Sequence, residues 1–381
     1  MAAGPGRPAA PPGRGARVPR EGVDEIAADP GSVLDVHAHF VPPRAIEEAR
    51  RRPDAFGVGV ETLSDGRARL AFPGSGWTRP MLPKLVELRE RRRGMAAGGV
   101  GQQLLAPWMD VVGYALAPET GRRWSRLLNT ALAEALAEDG SGAFAGVATV
   151  PLQDPAAAAA ELEHAVGALG LAGVQIGTNV LGAPLGAAGL DPFWAAAVAA
   201  RTPVILHPWH VAGEDRLGAH GLLQLLGYPF DTTLAAASLV LDGVADRFPD
   251  LAVILVHGGG FFPYQAGRLE RGHRLQKGPG RAPRDALGWF YYDTITHWAP
   301  PLRYLAEVAG ADRLLLGSDY PFDVGDPDPV GSVRGAGLGA PAERAILGAT
   351  GRALFRVAAP TDAHLSQATH GWNRPRGPRY K

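Results

Sequence analysis

Residues 32–39 read SVLDVHAH, an apolar and β-branched run that ends in two histidines separated by one alanine. Side chains alternate along a strand, so His37 and His39 point to the same side of whatever sheet this run joins. Two imidazoles converging on one point are what a bound metal needs, although an H-x-H is too short to stand alone.

Seven further runs of the same kind follow: 102–108 (QQLLAPW), 144–150 (FAGVATV), 173–177 (GVQIG), 203–207 (PVILH), 251–257 (LAVILVH), 290–294 (FYYDT) and 313–319 (RLLLGSD). Near-continuous apolar strands suit a sheet buried on both faces, and the Ala/Leu-rich stretches between them suit helical crossovers joining parallel strands. Asp154-Pro155 and Asp191-Pro192 both read as helix starts, and Phe248-Pro249-Asp250 closes the helix before the sixth strand. Eight β-then-α units predict a (β/α)₈ barrel; an open eight-stranded sheet is the structural alternative. Between the first two strands, FGVGVETL and RARLAF flank Ser64-Asp65-Gly66, a hairpin signal. It reads as a small insertion, about 54–80, lying over the C-terminal mouth of the barrel, or else as surface decoration.

Four histidines and one carboxylate fall at the same end of different strands. His37 and His39 end the first, His207 the fifth, His257 the sixth and Asp319 the eighth. Singly each has a bland reading, a satisfied core histidine or a helix cap. Together, at the end where such barrels carry their chemistry, they predict a metal site. Gly258-Gly259-Gly260 after His257 lets the backbone approach a ligand closely. Trp209 and Phe322, just beyond two of these strand ends, are expected to contact substrate. His297 follows the seventh strand and could face the site.

The 381-residue chain has a formal net charge of zero, which argues against nucleic acid or an anionic membrane surface as partner. It has no cysteine, so disulfides, thiolate nucleophiles and Cys-bound zinc are excluded. That fits a reducing, cytoplasmic setting, and no apolar run is long enough for a membrane span. Residues 1–31 and 358–381, rich in Pro, Gly, Ala or Arg, read as disordered tails around one catalytic unit, 32–357.

DVHAHF, VILHPW, the long stretch YPFDTTLAAASLVLDGVADRFPDLAVILVHGGGFFPYQAGRLERG, YYDTITH and LLLGSDYPF resemble the amidohydrolase superfamily. Within it they resemble the branch of aminocarboxymuconate-semialdehyde decarboxylase, over roughly residues 32–355. The resemblance implies that His37, His39, His207 and Asp319 ligate one divalent metal, most simply Zn²⁺, with His257 as the neighbouring acid/base group. Binuclear relatives use a lysine at the end of strand four. Here that strand reads GVQIGTN, and the only lysines are Lys84, Lys277 and Lys381. Arg79, forty residues beyond His39, and Arg268, eleven beyond His257, match positions that clamp substrate carboxylates. The second of these reaches in from a neighbouring subunit, so a homodimer is implied.

The implied activity is metal-dependent decarboxylation of an unsaturated or aromatic-derived acid. Hydrolysis of a lactone or amide of an acidic substrate by the same ligands stays open, as does a barrel retained as a binding protein. Two segments depart from the branch pattern, LLAPWMDVVGYAL after strand two and the preceding ERRRGMAAGGVG. Both bear on the substrate more than on the metal.

Overall fold

The computed structural model describes residues 33–187, 189–276 and 280–360. The tails expected at 1–31 and 358–381 lie outside the described residues, apart from 358–360. The eight barrel strands are β1 (Leu34–Phe40), β2 (Gln102–Pro107), β3 (Phe144–Ala148), β4 (Gly173–Gly177), β5 (Val204–His207), β6 (Val253–Leu255), β7 (Phe290–Asp293) and β8 (Leu314–Leu315). They pair in parallel in chain order. Almost every strand residue is buried, as a sheet covered on both faces requires.

The ring closes between its last and first strands. Val36 donates its N–H to Leu316 O (2.9 Å), Asp319 to His37 O (2.8 Å) and His39 to Tyr320 O (2.8 Å). Regular pairing in β8 stops after two residues, and the closure continues through the bridge between Ala38 and Tyr320. An open sheet is therefore excluded.

Local signals were mostly obeyed. Asp154 caps the helix Pro155–Gly167 by accepting from Ala157 N–H at 3.1 Å. Asp191 differs: it lies inside the helix Asp191–Ala199, caps nothing and pairs with Arg247 at 2.9 Å. The helix expected to run through LAAASLVLDGVADR breaks after Tyr228–Leu241, because Gly243 at φ 75° sends the chain into a separate turn, Val244–Arg247. The run 251–257 is a shorter strand than expected, and His257 stands on a single 3₁₀ turn, His257–Gly259.

The insertion carries three antiparallel strands where two were read: Gly59–Thr62, Ala68–Phe72 and Gly76–Trp77. Leu70 and Phe72 pack with Phe56, Met81, Trp108 and Trp124 in a buried cluster of their own. Residues from Phe72 to Arg79 form one wall of a cavity at the barrel mouth, so the insertion shapes that mouth.

Candidate metal centre and active site

On β1 the alternation places Asp35, His37 and His39 on one side of the strand. His37 Nδ1 lies 2.7 Å from Asp293 Oδ2, and a carboxylate only accepts, so Nδ1 carries a proton and Nε2 is the ring nitrogen facing away from Asp293. That Nε2 is 3.2 Å from His39 Nε2 and 3.4 Å from Asp319 Oδ1, and His39 Nε2 is 3.0 Å from the same oxygen. His207 Nδ1 faces the carbonyl of Pro208 at 3.0 Å, which puts its proton there and also frees Nε2. The rings of His37, His39 and His207 meet with centroids 4.8–5.2 Å apart.

His257 joins them: a donor atom from each of His37, His207, His257 and Asp319 lies within 4.8 Å of the others. Its Nε2 is 3.7 Å from Asp319 Oδ2. Both His257 (φ 55°) and Asp319 (φ 59°) hold left-handed backbone conformations, a strain typical of functional positions.

Electrostatics suits a cation. Burial pushes His207 well below the usual imidazole range, which keeps it neutral and able to ligate. Burial alone would raise Asp319, but the imidazoles of His257, His39 and His37 beside it hold it well below the usual carboxylate range. Imidazoles and a carboxylate gathered around one point form a hard-to-borderline donor set, the set that divalent zinc, manganese or cobalt accepts.

Supporting groups hold these side chains. Asp35 accepts from His37 N (3.1 Å), Gln103 Nε2 (2.8 Å), Ser318 N (3.1 Å) and Ser318 Oγ (2.5 Å), tying β1 to β2 and to the chain after β8. Arg91, in the ERRRGM segment, is fully buried and donates to the carbonyl of His39, to Lys84 O (3.1 Å) and to Gln103 Oε1 (3.3 Å). Its guanidinium stacks 4.7 Å from the Tyr320 ring centroid, and burial lowers its pKa to about 10. The departure noted in this segment thus houses a cation that fixes the strand end carrying His39.

Two cavities flank the cluster and share Gln224 and Tyr228. The more polar one, of 420 Å³, is walled by Arg79, Asp110, Trp209, His210 and Glu214. A more apolar one of 520 Å³ is walled by His257, Phe261, Ile295, His297, Trp298 and Tyr304. Arg79 reaches the mouth, 5.4 Å from the Trp108 ring and 5.6 Å from Phe322, with its Nε 3.8 Å from Asp110 Oδ2. Phe322 packs on His39 at 5.4 Å, and Trp209 on Tyr114 at 5.1 Å.

Of the expected site residues, His37, His39, His207, His257 and Asp319 meet, Phe322 packs on His39, and Arg79, Trp209 and His297 line the flanking cavities. Arg268 does not. It is exposed on the helix Phe262–Gln276 and lines neither cavity of its own chain. β4 ends GVQIG-Thr178-Asn179 with no lysine, in keeping with one cation rather than two. Asp293, Asp110 and Tyr228 went unassigned in the sequence; only Asp293 left a trace there, as a lone acid ending an aromatic strand.

A closed α/β barrel with a His/Asp cluster at the C-terminal strand ends defines the class of metal-dependent barrel hydrolases and lyases. The chain belongs to the amidohydrolase family, which its residues 34–357 match. It is 33% identical over 301 residues to the 2-amino-3-carboxymuconate-6-semialdehyde decarboxylase of Dictyostelium discoideum, covering 78% of this chain and 83% of that one. It is 30% identical over 286 residues to the gamma-resorcylate decarboxylase of a Polaromonas strain, covering 69% and 85%. The crystal structure of Metarhizium anisopliae IDCase in apo form superposes with a TM-score of 0.74 at 24% identity, over 86% of this chain and 97% of that one, a likeness of fold.

Proposed function

We propose that this chain is a metal-dependent carboxy-lyase acting on an unsaturated or aromatic-derived carboxylic acid, aminocarboxymuconate semialdehyde being the first candidate. The observation that carries the reading is the convergence of His37, His39, His207 and Asp319, with His257 Nε2 3.7 Å from that carboxylate. The decarboxylases among its relatives support it. In this reading residues 32–357 form one catalytic unit, cytoplasmic in setting, and His37, His39, His207 and Asp319 hold one divalent cation, Zn²⁺ by preference. When bound, the cation supplies Lewis acidity and an anchor for substrate oxygens.

The protein's own groups do the rest. Arg79, with its planar fork at the cavity mouth, orients a carboxylate. His257 delivers a proton to the carbon that bears the carboxylate to be lost, a task suited to an imidazole near neutral pH. Breaking the bond to that carboxylate then releases CO₂, and its electron pair restores the conjugated system. The carboxylate is replaced by hydrogen, and one proton is consumed. Arg268 serves the neighbouring site of a homodimer.

The test is to incubate the metal-replete protein with aminocarboxymuconate semialdehyde and with dihydroxybenzoic acids, following absorbance and CO₂, with His257→Ala as control. Release of CO₂ that the control lacks is the expected result. Turnover of lactones or amides without CO₂ would replace the lyase reading with a hydrolase.

A further inference from the structure

Asp293 ends β7 and is fully buried. Its two oxygens are divided between two parts of the site. Oδ2 faces His37 Nδ1 at 2.7 Å. Oδ1 accepts the N–H of Gly258, the residue after His257, at 2.8 Å, and that of Ile295 at 3.1 Å. No arginine or lysine pairs with it among the described residues, although carboxylates are costly to bury without a cation. Gly317 holds the arrangement tight, since a Cβ there would lie 2.9 Å from Asp293 Cβ and 3.1 Å from His37 Cβ.

We infer that Asp293 is a positioning residue that fixes the tautomer of His37 for the cation and, through its other oxygen, the turn that carries His257. This rests on the proposed metal site. Imidazole ligates only through an unprotonated nitrogen, so a carboxylate that accepts from Nδ1 keeps the Nε2 lone pair available and makes it more basic. The same side chain anchors the amide beside the acid/base histidine. One buried charge therefore sets the geometry of a ligand and of a proton donor that lie 220 residues apart in sequence.

Asparagine and alanine at this position should rank in an unusual order. Asparagine has nearly the shape of aspartate but only one acceptor oxygen. If that oxygen keeps the Gly258 and Ile295 amides, the new NH₂ faces His37 Nδ1 and drives the ring proton to Nε2, where the cation belongs. If the amide flips, NH₂ faces two N–H donors. Alanine leaves Nδ1 free to donate to water and imposes neither tautomer.

The experiment titrates metal-free wild type, Asp293→Asn and Asp293→Ala with Zn²⁺ against a fluorescent chelator, and reads the His37 ring nitrogens by ¹⁵N NMR. Asp293→Asn is expected to bind about ten- to a hundredfold more weakly than wild type. Asp293→Ala should fall in between, and His37 should shift to the Nε2-protonated form only in the asparagine variant. Asparagine milder than alanine would reduce Asp293 to packing and overturn the inference. So would either variant binding within twofold of wild type, which covers the case in which the other fails to fold. Wild type that binds no Zn²⁺, Mn²⁺ or Co²⁺ would instead bring down the metal site on which the inference stands.

Discussion

The Nε2 atoms of His37 and His39 lie 3.2 Å apart, and both face Asp319 Oδ1. With the His37 proton held on Nδ1, this approach brings lone pairs together unless a proton or a cation lies between them. Removing bound metal is therefore expected to lower thermal stability. Linkage gives the scale, about 4 kcal/mol when free metal stands at about a thousand times Kd. Melting curves of chelated and reloaded protein check it, and identical curves would contradict a resident cation.

His257 stands beside the cluster without being one of its four proposed ligands. His257→Gln is expected to lose about 10²–10⁴-fold in kcat while retaining the metal content of wild type. Elemental analysis beside steady-state rates separates this from loss of the cation, which would make His257 a ligand.

Asp110 lies in the polar cavity wall, where burial raises its pKa although Arg79 and His210 pull it down. A carboxyl whose folded pKa is raised binds its proton more tightly in the native state. Its contribution to stability is thus fully present below the unfolded value of about 3.9 and is lost as pH rises through the folded value. Asp110→Asn should accordingly melt higher than wild type at pH 7, with the gain shrinking toward pH 4. Melts across this range decide it; a variant less stable at pH 7 would mean that the contact with Arg79 outweighs burial.

If Arg268 serves the neighbouring subunit, Arg268→Ala and His257→Ala should each be inactive alone yet complement each other on mixing. Random exchange in a two-fold dimer restores about one quarter of wild-type activity, because each mixed dimer keeps one intact site. No recovery after verified subunit exchange would confine Arg268 to its own chain.

Gly260 has φ +60°, and a Cβ there would sit 2.0 Å from Pro229 O. Gly260→Ala is expected to cost at least about 1–3 kcal/mol, read from urea unfolding, and to displace the turn bearing His257. A neutral result would mean that the backbone around Pro229 yields freely.

The clustered histidines and Asp319 were legible because their chemistry is local. A histidine or aspartate at the end of an apolar strand is conspicuous wherever its partners lie, and β-strand alternation puts His37 and His39 on one side without further information. Asp293 carried the same mark, yet its role depends on His37 in the first strand, and no local pattern joins the two. Arg91 was hidden for the opposite reason: in a run of charges, ERRRG, nothing separates the buried arginine from the exposed ones. The third strand of the insertion, Gly76–Trp77, is two residues long and has no periodicity to read. Arg268 was legible only through the resemblance, and a single chain does not bring it to the site.

Of the hydrogen bonds that close the barrel, those from Asp319 to His37 and from His39 to Tyr320 run directly through the proposed ligand residues. A chain still emerging from the ribosome has His37 and His39 almost at once but lacks Asp319 until nearly all of its length is made. No shorter nascent fragment holds the full proposed set, so if these residues hold a cation, its loading must follow the meeting of the first and last strands. A cation held there would act as a rivet across the seam where the ring would otherwise unzip.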